Sequence, residues 1–169
     1  RRFLPLLLGR AYLELGIEEI EDGAITTARQ HLSLASEFII EPEDPALKEL
    51  YRYLVEVTLL LDGPEEALAQ LEKAIQAGLH DAELSFVVGE ALVEHLGEAR
   101  WVEERLADRV SRVLEEAYSG TLRPERQLEI ARSLARIFAD IHDKVAEARE
   151  RKAERPGERG AGVKSARRV

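Results

Sequence analysis

The chain has 169 residues, 45% hydrophobic and 34% charged, which is enough apolar material for one sizeable core and too little for several. It has a formal net charge of -9, no cysteine and no run of about 18 uncharged apolar residues, so disulfides, thiolate catalysis, zinc–thiolate sites and a membrane-spanning helix are excluded. Residues 1–150 hold 17 Lys and Arg against 31 Asp and Glu, whereas 151–169 hold seven against two, so an acidic body of net -14, which repels phosphate backbones, precedes a basic tail of net +5.

The opening Arg1-Arg2-Phe3-Leu4-Pro5-Leu6-Leu7-Leu8 is outwardly similar to a twin-arginine export signal, but the apolar run stops at Gly9-Arg10 and Glu14 follows, too short for a signal's hydrophobic region. The missing initiator methionine marks a fragment, a processed product or part of a longer chain. Beyond that point apolar spacing is helical almost throughout, and no strand pattern occurs. It predicts seven helices at about 3–19, 23–40, 45–61, 64–77, 81–96, 98–118 and 124–152, antiparallel where short turns join them.

The third helix has the plainest pattern: Leu47, Leu50, Tyr51, Leu54, Val57, Thr58 and Leu61 form one stripe, with Lys48, Glu49, Arg52 and Glu56 opposite. Asp62-Gly63-Pro64 ends it and opens the fourth, in which Pro64 suits the first turn and Glu65 and Glu66 favour the positive end. Ala67, Leu68, Leu71, Ala74 and Ile75 give that helix its apolar face, and Gly78 stops it. Asp81 starts the fifth, Gly97 and Gly120 stop the fifth and sixth, and Pro124-Glu125 opens the seventh.

The seventh helix carries two stripes, Leu128, Ala131, Ala135, Phe138 and Val145 beside Ile130, Leu134, Ile137 and Ile141. One neighbour cannot cover both, so a homo-oligomer through residues 124–152, or a partner helix, is expected. After Arg155, Pro156, Gly157, Gly160 and Gly162 break the pattern, which predicts a disordered basic tail at 153–169 beyond a helical domain at 1–152. Methionine and asparagine are absent and glutamine occurs four times; with abundant Glu, Arg and Leu this points to a thermophilic source. A cytoplasmic location is expected.

Hairpins recur at a period of 34 to about 40 residues. The second, Lys48 to Leu79, resembles a tetratricopeptide repeat, with Tyr51 and Leu54 at the large positions of its first helix and Ala67, Leu71 and Ala74 at the small-large-small positions of its second. The first resembles the same family through Leu8-Gly9, Tyr12, Gly16, Ala28, Leu32, Ala35 and Pro42. It carries about seven or eight extra residues around Ile17 to Ile25, expected to lengthen both helices. The third starts with Val88-Gly89 and Leu92, but Trp101 stands where the small residue belongs and a long charged helix follows. The resemblance therefore covers residues 3 to about 118. It implies an all-α fold, a right-handed stack of antiparallel helical hairpins with about three such units and a long C-terminal capping helix.

What the resemblance further implies is a concave surface lined by Leu6, Arg10, Leu13 and Glu14, then Arg52, Tyr53, Glu56 and Leu59, then Phe86, Glu90, Val93 and Glu94. A helical or extended partner segment with apolar anchors and a Lys or Arg is expected across Arg10, Arg52, Tyr53, Glu56, Phe86 and Glu90. The alternative is that the seventh helix or the tail fills this groove. The family's variant that grips chaperone carboxylates relies on paired asparagines, which this chain lacks. Trp101, the single tryptophan, reads either as an anchor under the turn near His95 and Leu96 or as an exposed contact for a partner.

Catalytic patterns are weak. Arg136 and His142 resemble the ribonuclease motif of the HEPN superfamily, but arginine is so abundant that such spacing arises by accident, and His142 extends an apolar stripe. His31, His80, His95 and His142 stand apart, no phosphate-loop, dinucleotide or HExxH motif occurs, and Ser111, Ser119 and Ser133 lack an elbow. Adjacent acids such as Glu65-Glu66 point about 100 degrees apart on a helix, and pairs such as Asp108/Arg112 and Glu147/Arg151 support helicity only. No catalytic residue, metal or cofactor is therefore expected, and the leading expectation is a non-enzymatic adaptor. The alternative is a helical subunit of a nucleoprotein or multi-protein assembly, docking through its last helix and basic tail, with nucleic acid held only through that tail.

Overall fold

A computed structural model describes residues 3–121 and 123–165, with side chains as far as Arg155. These residues form helices α1 (Phe3–Glu21), α2 (Ile25–Phe38), α3 (Pro45–Asp62), α4 (Pro64–Gln76), α5 (Ala82–Glu98), α6 (Glu104–Gly120), α7 (Pro124–Arg136) and α8 (His142–Ser165), the last two joined through a π-helical turn at Ile137–Ile141. Among the described residues no strand occurs and no helix is long and apolar enough to cross a membrane.

Local chemistry sets most of the boundaries. Asp44 caps α3 by accepting from the amide of Ala46 at 3.0 Å, and Asp81 caps α5 by accepting from the amide of Leu84 at 2.8 Å. Between α3 and α4 the chain reverses at Gly63, whose φ of 99° is left-handed and suits glycine. Leu47, Leu50, Leu54 and Val57 of α3 and Ala67, Leu68, Leu71 and Ala74 of α4 are buried, so both stripes face the core as their spacing predicts. The buried Thr58 hydroxyl donates to the carbonyl of Leu54 at 2.6 Å and is thereby satisfied.

Successive helices pack in pairs, α1 on α2, α3 on α4 and α5 on α6, with α2 on α3 and α6 on α7 joining the pairs. Gly9 lies against Phe38 and Ile39 while Gly16 lies against Ala28 and Leu32, so α1 and α2 run antiparallel; Gly89 against Leu114 and Gly120 against Ala82 give α5 and α6 the same relation. The first helices of the pairs also touch one another, α1 on α3 and α3 on α5, and α7 joins this row beside α5. Glu83 faces Arg126 and Glu90 faces Ser133, so α5 and α7 run parallel. One continuous core runs from Leu32 through Leu50, Leu92 and Leu114 to Ile130 and Ile141.

Three features differ from the sequence expectations. The extra residues of the first hairpin lengthen α1 but not the start of α2: α1 runs 13 residues past Leu8 where α3 runs 8 past Leu54, the α1–α2 turn is two residues longer than the α3–α4 turn, and Ala28 and Ala67 are each the fourth residue of their helix. The sixth helix starts at Glu104 and not near 98, because residues 99–103 form a connector in which the amide of Val102 donates to the carbonyl of Lys144 at 3.2 Å. The last helix does not stop at 152 but runs to Ser165, through Pro156 and three glycines. Contacts of Arg149 with Glu104 and of Lys152 with Glu103 hold the turns before Pro156, which itself has no amide hydrogen to donate. Of the tail expected to be disordered, residues 166–169 lie outside the described residues.

Candidate functional site: the furrow between α3 and α5

Two parallel helices that touch along their inner faces diverge toward solvent, and between α3 and α5 this leaves an open furrow. One depression of about 220 Å³ is lined by Arg52, Val55, Glu56, Leu59, Leu60 and Val87, and a neighbouring one of about 260 Å³ by Pro45, Lys48, Glu49, Arg52, Glu83 and Val87. Arg52 and Val87 border both, so the two form one trough with an apolar floor and charged walls. Leu60 projects at one end, 63% exposed.

The six residues read from the sequence separate into three groups. Arg52 and Glu56 are exposed on the furrow wall, and half-buried Tyr53 lies beside them with the Arg52 guanidinium 5.9 Å from its ring centre. Arg10 stands at the junction of α1 and α3, 3.7 Å from the Asp44 carboxylate, and so marks the start of α3.

Phe86 and Glu90 belong to the flank of α5 that faces α7. Phe86 is only 4% exposed, and the Arg126 guanidinium covers its ring at 4.5 Å. It therefore offers no open anchor to a partner, which corrects the sequence expectation. The reason is long-range: α7 takes the place beside α5 and buries Phe86 and Val93 with Ile130 and Ile137 in the common core. Glu90 remains exposed and accepts from the Ser133 hydroxyl at 3.3 Å. Arg126 binds Glu129 at 2.7 Å and grips Glu83 with two nitrogens; these bonds push its already high pKa further up, so the cation over Phe86 is permanent.

Two further concavities escaped the sequence reading. The larger, about 570 Å³, lies between α4 and α6, is spanned by the Arg109–Glu72 ion pair at 3.0 Å and has Leu68, Leu71 and Val113 on its floor. The smaller, about 150 Å³, lies between α6 and the π-helical turn, over Ala107, Ile137, Ile141 and Val145. The sequence signal for the first was Arg105, Arg109 and Arg112 on one side of α6, hidden among the four acids of the same helix.

Trp101 is 44% exposed and carries the Arg151 guanidinium 4.3 Å above its ring, so it fastens α8 to the connector before α6 and is not sunk beneath a turn. Arg136 lies against Gly97 and 3.8 Å from Asp140, whereas His142 points to solvent at 77% exposure, and no contact among the described residues links them. Comparison with protein-family models, curated proteins and solved structures finds no match to this chain.

Proposed function

We propose that this chain is a non-enzymatic protein-interaction module, a right-handed tetratricopeptide-like stack of about three hairpins closed by its long last helix, which holds a partner segment in the α3–α5 furrow. The stack is supported by the antiparallel pairs, by the row formed by α1, α3, α5 and α7, and by the fully buried Ala28, Ala35, Ala67 and Ala74 at the helix contacts. The observation that carries the function is the trough itself: Leu59, Leu60 and Val87 supply apolar contact, while Glu49 and Glu56 favour a cation on the ligand and Arg52 an anion or an aromatic ring. The fitting partner is an extended or helical segment with one apolar anchor flanked by Lys or Arg.

A second reading, docking through the last helix, is favoured by one observation: Leu128 and Phe138 stand 53% and 64% exposed on the outward face of α7 and the π-helical turn. Affinity capture from the source cell, quantified for the wild-type chain, a Leu60→Glu/Val87→Glu variant and a Leu128→Glu/Phe138→Glu variant, separates the two. Furrow binding predicts that specific partners are lost only from the first variant. Loss only from the second moves the function to the last helix.

A further inference from the structure

The outward faces of α1 and α7 are both apolar. On α1, Phe3, Leu4, Leu7, Leu8 and Leu15 are 78%, 64%, 60%, 40% and 40% exposed, and they share one stripe, while Gly9, Leu13 and Gly16 take the inward side. On α7, Leu128 and Phe138 bracket exposed Ala131 and Ala135, with Ile130 and Ile137 turned inward. These faces lie at opposite ends of the helix succession, since α1 packs on α2 and α3 and α7 packs on α5 and α6.

We propose that copies of this chain associate head to tail, the outward face of α1 in one copy seating on the outward face of α7 in the next. Charge selects this pairing. Beyond its apolar turns the α1 stripe continues into exposed Glu14 and Glu18, and the cation on that helix, Arg10, is already turned to Asp44. The α7 face carries exposed Arg132 among its apolar residues, so it supplies the sign that α1 lacks. Desolvating Phe3, Leu7, Leu128 and Phe138 against one another provides the attraction, and the charges fix which face meets which. Such a contact is heterologous, because each copy uses a different patch, and it therefore grows into chains or closes into rings. It does not depend on whether the α3–α5 furrow holds a partner.

The experiment is sedimentation velocity on the full chain across a concentration series, with Leu7→Glu and Phe138→Glu measured singly and as an equimolar mixture. The wild type should form species at successive multiples of the 19.0 kDa protomer. Each variant alone should lose association by roughly tenfold or more, and the mixture should give 1:1 dimers, since one partner keeps an intact α7 face and the other an intact α1 face. Circular dichroism checks that the variants stay folded. If either does not, Glu18→Lys and Arg132→Glu serve instead, each weakening association and the double variant restoring it. A wild type that stays monomeric overturns the proposal. So does a single variant that associates fully by itself, which would mean that one face pairs with its own copy.

Discussion

At the scale of single residues, close contact sets the sharpest constraints. A methyl group added at Gly89 would lie 2.5 Å from the Leu114 side chain, which is completely buried and has nowhere to move. Alanine there gains about 0.5–1 kcal/mol of helix propensity but meets overpacking of about 1–3 kcal/mol, so Gly89→Ala should lower the urea midpoint. Ala67, also completely buried, behaves alike: Ala67→Leu should cost about 1–3 kcal/mol by the same measurement. Phe86 illustrates a reversal of role. As an open anchor it could be truncated with the fold intact, but as a core residue under Arg126 its replacement by alanine should destabilise the chain by about 3 kcal/mol or more. Tyr53→Ala, at a half-buried site, should cost markedly less, and equal losses in the two variants would contradict the burial of Phe86 by α7.

At the scale of elements, α8 is held differently from the others. Its buried side chain among the described residues is Ala148, so it is fixed chiefly by polar contacts. The Lys144 ammonium donates to the carbonyls of Gly97 at 2.5 Å and Leu96 at 3.3 Å at the negative end of α5, where the Leu96 carbonyl also accepts from the amide of Ala99. Lys144→Met should cost about 1 kcal/mol in thermal or urea unfolding, within the range for cations at helix C-termini. Farther along, Arg149 binds Glu104, Lys152 binds Glu103 at 2.5 Å, and Arg151 covers Trp101.

Exposed ion pairs weaken with salt, so raising salt to about 1 M, where the Debye length is about 3 Å, should loosen α8 and change the emission of Trp101. Arg151→Ala should reproduce that change at low salt, and an emission indifferent to both would refute the docking of α8 on the connector. Acid acts on the same contact. The hydrogen bond from Arg149, then its charge, hold the Glu104 carboxyl below the ordinary glutamate range. A depressed carboxylate contributes its stabilisation above its unfolded pKa and loses it as pH falls through the folded value. The Trp101 signal should therefore persist through the pH at which free glutamates titrate, about 4.3, and change below it.

At the scale of the whole molecule, an acidic body ends in a basic segment. Deleting residues 154–169 removes charge but none of the described core, so the melting midpoint should stay unchanged. The same deletion tests the nucleoprotein alternative, because any affinity for nucleic acid should reside in the net +5 of residues 151–169, fall steeply with salt and vanish from the truncated chain. No binding by the full chain at low ionic strength removes that alternative.

The boundary between what could be read from the sequence and what could not follows the range of the interactions involved. Helix periodicity, the cap at Asp81, the turn at Gly63 and the inward alanines of α2 and α4 are decided within a few residues of chain, and they stand in the structure as the sequence alone determines them. The exposed side of α3, with Arg52 and Glu56, was legible for the same reason. For α7 the two stripes were visible, but their sorting was not: Ile130, Ile137 and Ile141 turn inward and Leu128 and Phe138 outward only because α5 and α6 offer a surface that fits the first set. The same packing decided that Phe86 is covered, that α6 starts after a connector and that Lys144 reaches the end of α5, since each pairs residues some 40 or more positions apart. Tertiary structure alone settles such pairings, because many faces of similar polarity compete for each partner and the choice rests on shape and on the burial of the whole core.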